Sequence, residues 1–269
     1  MKVFKFHQFV RVERGPVNSL LADLLKGDIF QVSNEEIDKF EKREYDDIKD
    51  FIEQLKSEQL VIETEKNRWI PELKLEIDKD KENLDGKPIR IITLEIEEGV
   101  DIHAFYDFLS PISTKINKIF FYGKNNTSEV SKFFPGVPII LKDKKFESCM
   151  LLAGVTEDFL KVKEDDYRFK MHFNSCWGGR IAVTSDGKLR LCIYSTIVLG
   201  DIKEKCREKI IDEYNKYWRI TKDKVAICKD CELKYVCFDC REISLRETGD
   251  LYGNNPYCKY DPYKGKWSK

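Results

Sequence analysis

Residues 228–258 constrain this chain more than any other stretch. They read Cys228-Lys-Asp-Cys231-Glu-Leu-Lys-Tyr-Val-Cys237-Phe-Asp-Cys240, then an interval, then Cys258. A C-x2-C pair puts two thiols on one tight turn, where both can face a single metal. Cys237 and Cys240 repeat the pair, and Cys258 can clip the tail onto the same region. Sets of thiolates select zinc or iron–sulfur clusters, because soft sulfur donors suit those metals. The stretch implies that the C-terminal third folds around metal.

The nine cysteines of the 269 residues favour metal ligation over disulfides. No apolar segment with a cleavage site opens the sequence, and no apolar run approaches the roughly 18–20 residues that span a bilayer. The expectation is a cytoplasmic protein with no membrane partner. A net charge of −1, despite 35% charged residues, argues against non-specific binding of nucleic acid. With 42% hydrophobic residues the chain can bury two or three cores.

Residues 1–75 are expected to form a small winged-helix-like module. "VFKFHQFVRV" alternates as a strand, "SLLADLL" follows the Arg14-Gly15-Pro16 break, and "IFQVS" follows a Lys26-Gly27-Asp28 turn. Ser33 and Asn34 before Glu35 and Glu36 offer a helix N-cap. Ile48, Phe51, Ile52 and Leu55 form one apolar helical stripe. Leu60–Ile62 and Trp69–Ile70 flank a polar tip as the two strands of a wing would. The helix "EYDDIKDFIEQLKSEQ" is acidic and would be repelled by phosphate. An extended peptide added to a strand edge is the better ligand for such a module.

Residues 76–148 are expected to form a short, truncated α/β segment resembling part of a barrel. A charged linker, residues 72–88, leads into the strand "IRIITLEI", the helix "DIHAFYDFL", the strand "INKIFFYG", the helix "TSEVSKFF" and the strand Val137–Leu141. That alternation predicts parallel pairing. Residues 149–269 form the cysteine-rich part. Asp186-Gly187 predicts a hairpin turn between "RIAVTS" and "KLRLCIY", with Cys176 and Cys192 near its open end. Cys206 is expected within the helix "EKCREKIIDEYNKYW" as a bystander, and Tyr217 and Trp218 as packing residues. The fold class expected is mixed α+β and α/β.

The order Cys176-x10-Gly187-x4-Cys192, C-x2-C-x5-C-x2-C and Cys258 resembles the SPASM domain of radical-SAM peptide maturases. The segments "HFNSCWGGRIAVTSDGKLRLC", "LGDIKEK", "YWRITKDKVAICKDCELKYVCFDCRE" and "YCKYDPYKGKW" resemble in particular the SPASM peptide maturase of grasp-with-spasm systems. The N-terminal "RGPVNSLLADLLKGDIFQV" is similar to that family's opening. The resemblance covers both ends, with a shorter middle.

By position, the resemblance implies a four-thiolate site of Cys228, Cys231, Cys237 and Cys258, and a second site of Cys176, Cys192 and Cys240. It implies one or two [4Fe–4S] clusters, with zinc as the alternative. The family often carries a further cysteine shortly before the position of Cys176. Here "YRFKMH" stands there, and the last pair is C-x2-C where C-x3-C is usual. His172 or Cys149 are candidate fourth ligands; an open or empty second site is the other alternative.

No C-x3-C-x2-C occurs in the sequence, so no SAM-cleaving cluster and no bound SAM are expected. The resemblance implies RiPP biosynthesis: an accessory maturation factor that binds a leader–core precursor peptide and acts with an ATP-grasp ligase. The alternatives are a metal-dependent peptide-modifying enzyme using an open auxiliary cluster, and a non-catalytic redox-sensing regulator.

Overall fold

The computed structural model describes residues 2–71, 73–75, 92–110, 116–124, 127–143, 160 and 162–268. Most of the charged linker, and Cys149, lie outside them. Among the described residues no helix is long and apolar enough to cross a membrane.

Strands β2 (Val10–Arg14), β3 (Asn18–Asp23) and β4 (Asp28–Ser33) form an antiparallel sheet in that order. The expected first strand is split by a turn at residues 8–9, so β1 (Lys2–Phe6) leaves this sheet. It pairs antiparallel with β5 (Val61–Glu65), Phe4 opposite Glu63. This corrects the expected wing, because the partner of residues 61–65 is β1 and residues 69–70 are not a strand. Helix α1 (Asn34–Lys42) opens with a full capping box: the Ser33 hydroxyl accepts from Glu36 N, and the Glu36 carboxylate accepts from Ser33 N. Helix α2 (Lys49–Ser57) buries Phe51, Ile52 and Leu55.

Strand β3 is covered on both faces. Side chains alternate along a strand, so Leu21 joins a core with Ile37, Phe40 and Leu55. Leu20, Ala22 and Leu24 join another with Leu233, Val236, Cys237 and Tyr260. Leu75 packs into that second core as well. The N-terminal strands are thus wedged between their own helices and the cysteine-rich stretch.

The main sheet has six strands in the order β11-β10-β9-β6-β7-β8. Strands β6 (Ile92–Glu97), β7 (Ile116–Tyr122) and β8 (Ile139–Lys142) run parallel. Helices α3 (Ile102–Leu109) and α4 (Ser128–Phe133) lie in the connections, as the alternation predicts. β9 (Arg180–Val183) adds to the other side of β6, also parallel. β10 (Lys188–Arg190) and β11 (Val198–Asp201) complete the sheet antiparallel. Gly187 makes the β9–β10 turn at φ +78°, a conformation glycine adopts without strain. The sheet runs straight through the boundary expected at residues 148 and 149.

Helix α5 (Glu164–His172) precedes the first paired cysteine, α6 (Arg207–Trp218) packs Ile210, Tyr214 and Trp218 into the main core, and α7 (Arg241–Thr248) follows Cys240. Cys206 lies just before α6, not within it, and is exposed. The tail ends in the short ribbon β12 (Tyr260–Asp261) and β13 (Lys266–Trp267).

Candidate metal centres

Seven of the described thiols, all but Cys206, fall into two neighbourhoods. Cys228, Cys231 and Cys258 each lie within electrostatic reach of Cys237. Burial raises all three thiols above their usual range, and the neighbouring sulfur raises them further. A cation offsets this: Lys222 is 7% exposed and its Nζ donates to Cys237 Sγ at 3.0 Å. Burial alone would lower the Lys222 ammonium, but Cys237, Cys228 and Asp239 hold it above the ordinary lysine value. The loop before Cys228 is strained. Ile227 has φ +64° and ψ −50°, and Cys228 N donates to Ala226 O at 2.6 Å across it, a γ-turn on a β-branched residue.

Cys176, Cys192 and Cys240 are buried in the main core. Cys176 is held well above the usual thiol range, first by its hydrogen bond to Cys240 and then by burial. Burial raises Cys192, and Cys176 raises it further. Beside them Arg180 pairs with Glu95, which is 1% exposed and also accepts from Tyr122 Oη at 3.3 Å and Ile193 N at 2.5 Å.

The turn carrying Cys176 is tied to the one carrying Cys240 through Asn174. Its Oδ1 accepts from Cys176 N at 2.9 Å and Trp177 N at 2.8 Å. Its Nδ2 donates to Asp239 Oδ2 at 2.8 Å. Asp239 in turn pairs with Arg241, fully buried, whose Nη1 donates to Leu251 O at 3.2 Å and Gly253 O at 2.6 Å. Sequence reasoning missed Lys222, Asn174, Asp239, Arg241 and the Glu95–Arg180 pair. The signal available was their polar chemistry inside otherwise apolar or cysteine-rich stretches.

His172 is turned elsewhere, with Nε2 donating to Leu75 O at 3.2 Å. The other candidate fourth ligand, Cys149, lies outside the described residues. Among the described residues, no three or more His, Cys, Asp or Glu side chains are gathered so as to hold a metal ion. In chemistry, one partly buried and one buried group of thiols, the first backed by an ammonium and the second by a guanidinium, fit a soft, thiolate-bound group.

The N-terminal sheet meets the first set directly. Glu232, fully buried, accepts from Gln31 Nε2 at 2.7 Å and from Tyr260 Oη. Its carboxylate lies so close to Gly15 that a side chain there would collide with it. Asn18 Nδ2 donates to Gly265 O at 3.3 Å.

No family model matches this chain. A curated protein from Methanosarcina barkeri, an AdoMet-dependent heme synthase, is 29% identical over 109 residues, which are 39% of this chain and 31% of that protein. The chain therefore spans under a third of that relative's length. This local match supports a relation to the radical-SAM-like superfamily. A crystal structure of Streptococcus suis SuiB bound to S-adenosylmethionine aligns over 97% of this chain and 100% of that one, at a TM-score of 0.33 and 8% identity, too slight a likeness to argue from.

Proposed function

We propose that this chain is an accessory maturation factor of the grasp-with-spasm type for a ribosomally made peptide. Residues 1–75 bind the precursor peptide, and the cysteine-rich part holds the core peptide for an ATP-grasp ligase. The observation that carries this reading is the shared core of Leu20, Ala22 and Leu24 with Val236, Cys237 and Tyr260. A peptide-binding sheet and a metal-binding turn that share one core report to each other.

Cys228, Cys231, Cys237 and Cys258 would hold one [4Fe–4S] cluster, and Cys176, Cys192 and Cys240 a second, with zinc as the alternative. When bound, either group would cross-link the tail to the core, and a cluster would also supply a one-electron site. A cluster places its thiolates on separate irons and so accepts cysteines standing further apart than those around one ion. Lys222 and Arg180 neutralise the sulfur charge in their respective sets.

The test is iron, zinc and acid-labile sulfide on protein purified without oxygen, together with calorimetric titration of the full chain with precursor peptide. About seven to eight irons with matching sulfide, or about four if only one set is filled, are expected, with saturable peptide binding. Stoichiometric zinc without colour would remove the cluster assignment. No binding by any co-encoded precursor would remove the maturation role.

A second reading, a metal-dependent peptide-modifying enzyme, is favoured by the three-thiol set lying beside the buried Glu95–Arg180 pair. It requires that turnover be lost in Cys192→Ala with the first set still loaded.

A further inference from the structure

We propose that the cleft at the carboxyl ends of β6 and β9 is a carboxylate-binding site. The two strands pair parallel with Ile96 opposite Val183, and the residues that follow, Glu97 and Thr184, open onto a cavity of about 530 Å³. Ligands of open parallel sheets sit at this end, where strand termini leave a crevice. The volume suits a small molecule or a few residues of peptide.

The cleft is lined by a guanidinium with one N–H unpaired. Arg190 enters from β10, and its Nη1 donates to Ser195 O at 2.6 Å, which fixes the guanidinium against the loop. Its Nε is buried without a hydrogen-bond partner. A buried charged N–H left unpaired is costly and rare, and the guanidinium that carries it lines the cleft, where a small rotation would offer that N–H to an acceptor. Arg246 lines the same cavity from α7, held by Glu242 at 2.7 Å and by Tyr194 O.

The acceptors already present are engaged. Glu97 accepts from Ser185 N at 2.9 Å, and Asp186 accepts from the Thr184 hydroxyl at 2.6 Å. These two carboxylates also disfavour a doubly charged phosphate, leaving a singly charged, planar carboxylate as the group that a guanidinium edge recognises best. Ile193 also lines the cleft and directly follows Cys192. The lining of the cleft therefore includes the residue next in sequence to one member of the three-thiol set. The inference does not depend on the peptide reading or on a bound metal.

The carboxylate can come from a peptide side chain or from a free small acid. The test titrates full-length protein, labelled with ¹⁵N-arginine, against acetyl-Gly-Glu-Gly-amide, acetyl-Gly-Gln-Gly-amide and propionate, following the Arg190 Nε–Hε resonance. A saturable shift with the Glu peptide and none with the Gln peptide supports the site and assigns it to peptide. A shift with propionate alone supports the site, assigns it to free acids, and counts against the peptide reading only. Equal shifts with both peptides, or no saturable shift with any probe, overturn it. R190Q, with its fold checked by amide spectrum, should weaken binding by about tenfold or more. R190K serves if R190Q does not fold. Unchanged affinity in either folded variant overturns the proposal.

Discussion

Asn174 Nδ2 donates to Asp239 Oδ2 at 2.8 Å, joining the turn that carries Cys176 to the turn that carries Cys240. Neither residue is a ligand in any reading of the sequence, yet together they set the distance between two candidate ligands.

Asn174→Ala should therefore act at two levels. It leaves the amides of Cys176 and Trp177 without their acceptor, which costs about 2–4 kcal/mol for two buried groups. Urea denaturation checks the stability loss. Metal analysis of the variant should show the three-thiol set depleted while the four-thiol set keeps its content.

Asp239 and Arg241 form a buried ion pair, with both side chains almost wholly excluded from solvent. Asp239→Ala strands the guanidinium and should destabilise by about 3–5 kcal/mol. The double variant Asp239→Ala, Arg241→Met should recover part of that loss, because no charge is then left unpaired. A double-mutant cycle in urea measures the difference.

Glu13 accepts a hydrogen bond from Tyr167 Oη, and burial raises its carboxyl above the ordinary 4.5. A raised folded-state value means that the native protein holds this proton more tightly than the unfolded chain. The stabilisation is complete below about pH 4.5 and fades as pH rises through the folded value. Glu13→Gln keeps an acceptor for Tyr167 and carries no such proton. Its stability relative to the parent should rise with pH across that window, which parallel denaturation curves would reveal. A constant difference would mean that Glu13 does not titrate differently on folding.

Ile227→Gly should stabilise. The γ-turn on Ile227 costs about 1–3 kcal/mol in backbone strain, and glycine returns about 0.5–1 kcal/mol of that as lost chain entropy. The expected net gain of about 1 kcal/mol corresponds to roughly 2–4 °C in Tm for a domain of this size. A fall in Tm would show that the Ile227 side chain, half exposed as it is, contributes more than its strain costs.

Cys206→Ala should change neither metal content nor stability, since the residue is exposed and outside both thiol neighbourhoods. Cys231→Ala should open the C-terminal third to protease, because binding energy on the order of 10 kcal/mol for a structural metal is folding energy. Limited proteolysis of the two variants side by side distinguishes them.

Local features of the fold were legible in the sequence. The Ser33–Glu36 capping box, the Ile48–Leu55 stripe and the Asp186-Gly187 turn are written in residues a few positions apart. The parallel β6–β7–β8 run follows from strand and helix alternation. What was not legible is long-range partner choice. Nothing near Val61 says that β1 rather than residues 69–70 will pair with it, because β1 lies far away in the sequence. The division of the thiols into four and three came from the resemblance alone. The polar residues that flank them were invisible, since Lys222 meets Cys237 and Asn174 meets Asp239 only after the chain has folded back.

Strand β6 lies between β7 and β9, and β9 is made long after it. A nascent chain emerges N-terminus first, so the apolar residues Leu94 and Ile96 leave the ribosome well before the strand that will cover one edge of β6. During that interval the edge can pair with another copy of itself. Ribosomes stalled after residue 148 should therefore carry an aggregation-prone intermediate, and full-length chains from which β9, β10 and β11 have left the exit tunnel a soluble one. Synthesis rate through the intervening codons, and a chaperone to hold β6, then bear on yield as much as any side chain in the finished fold.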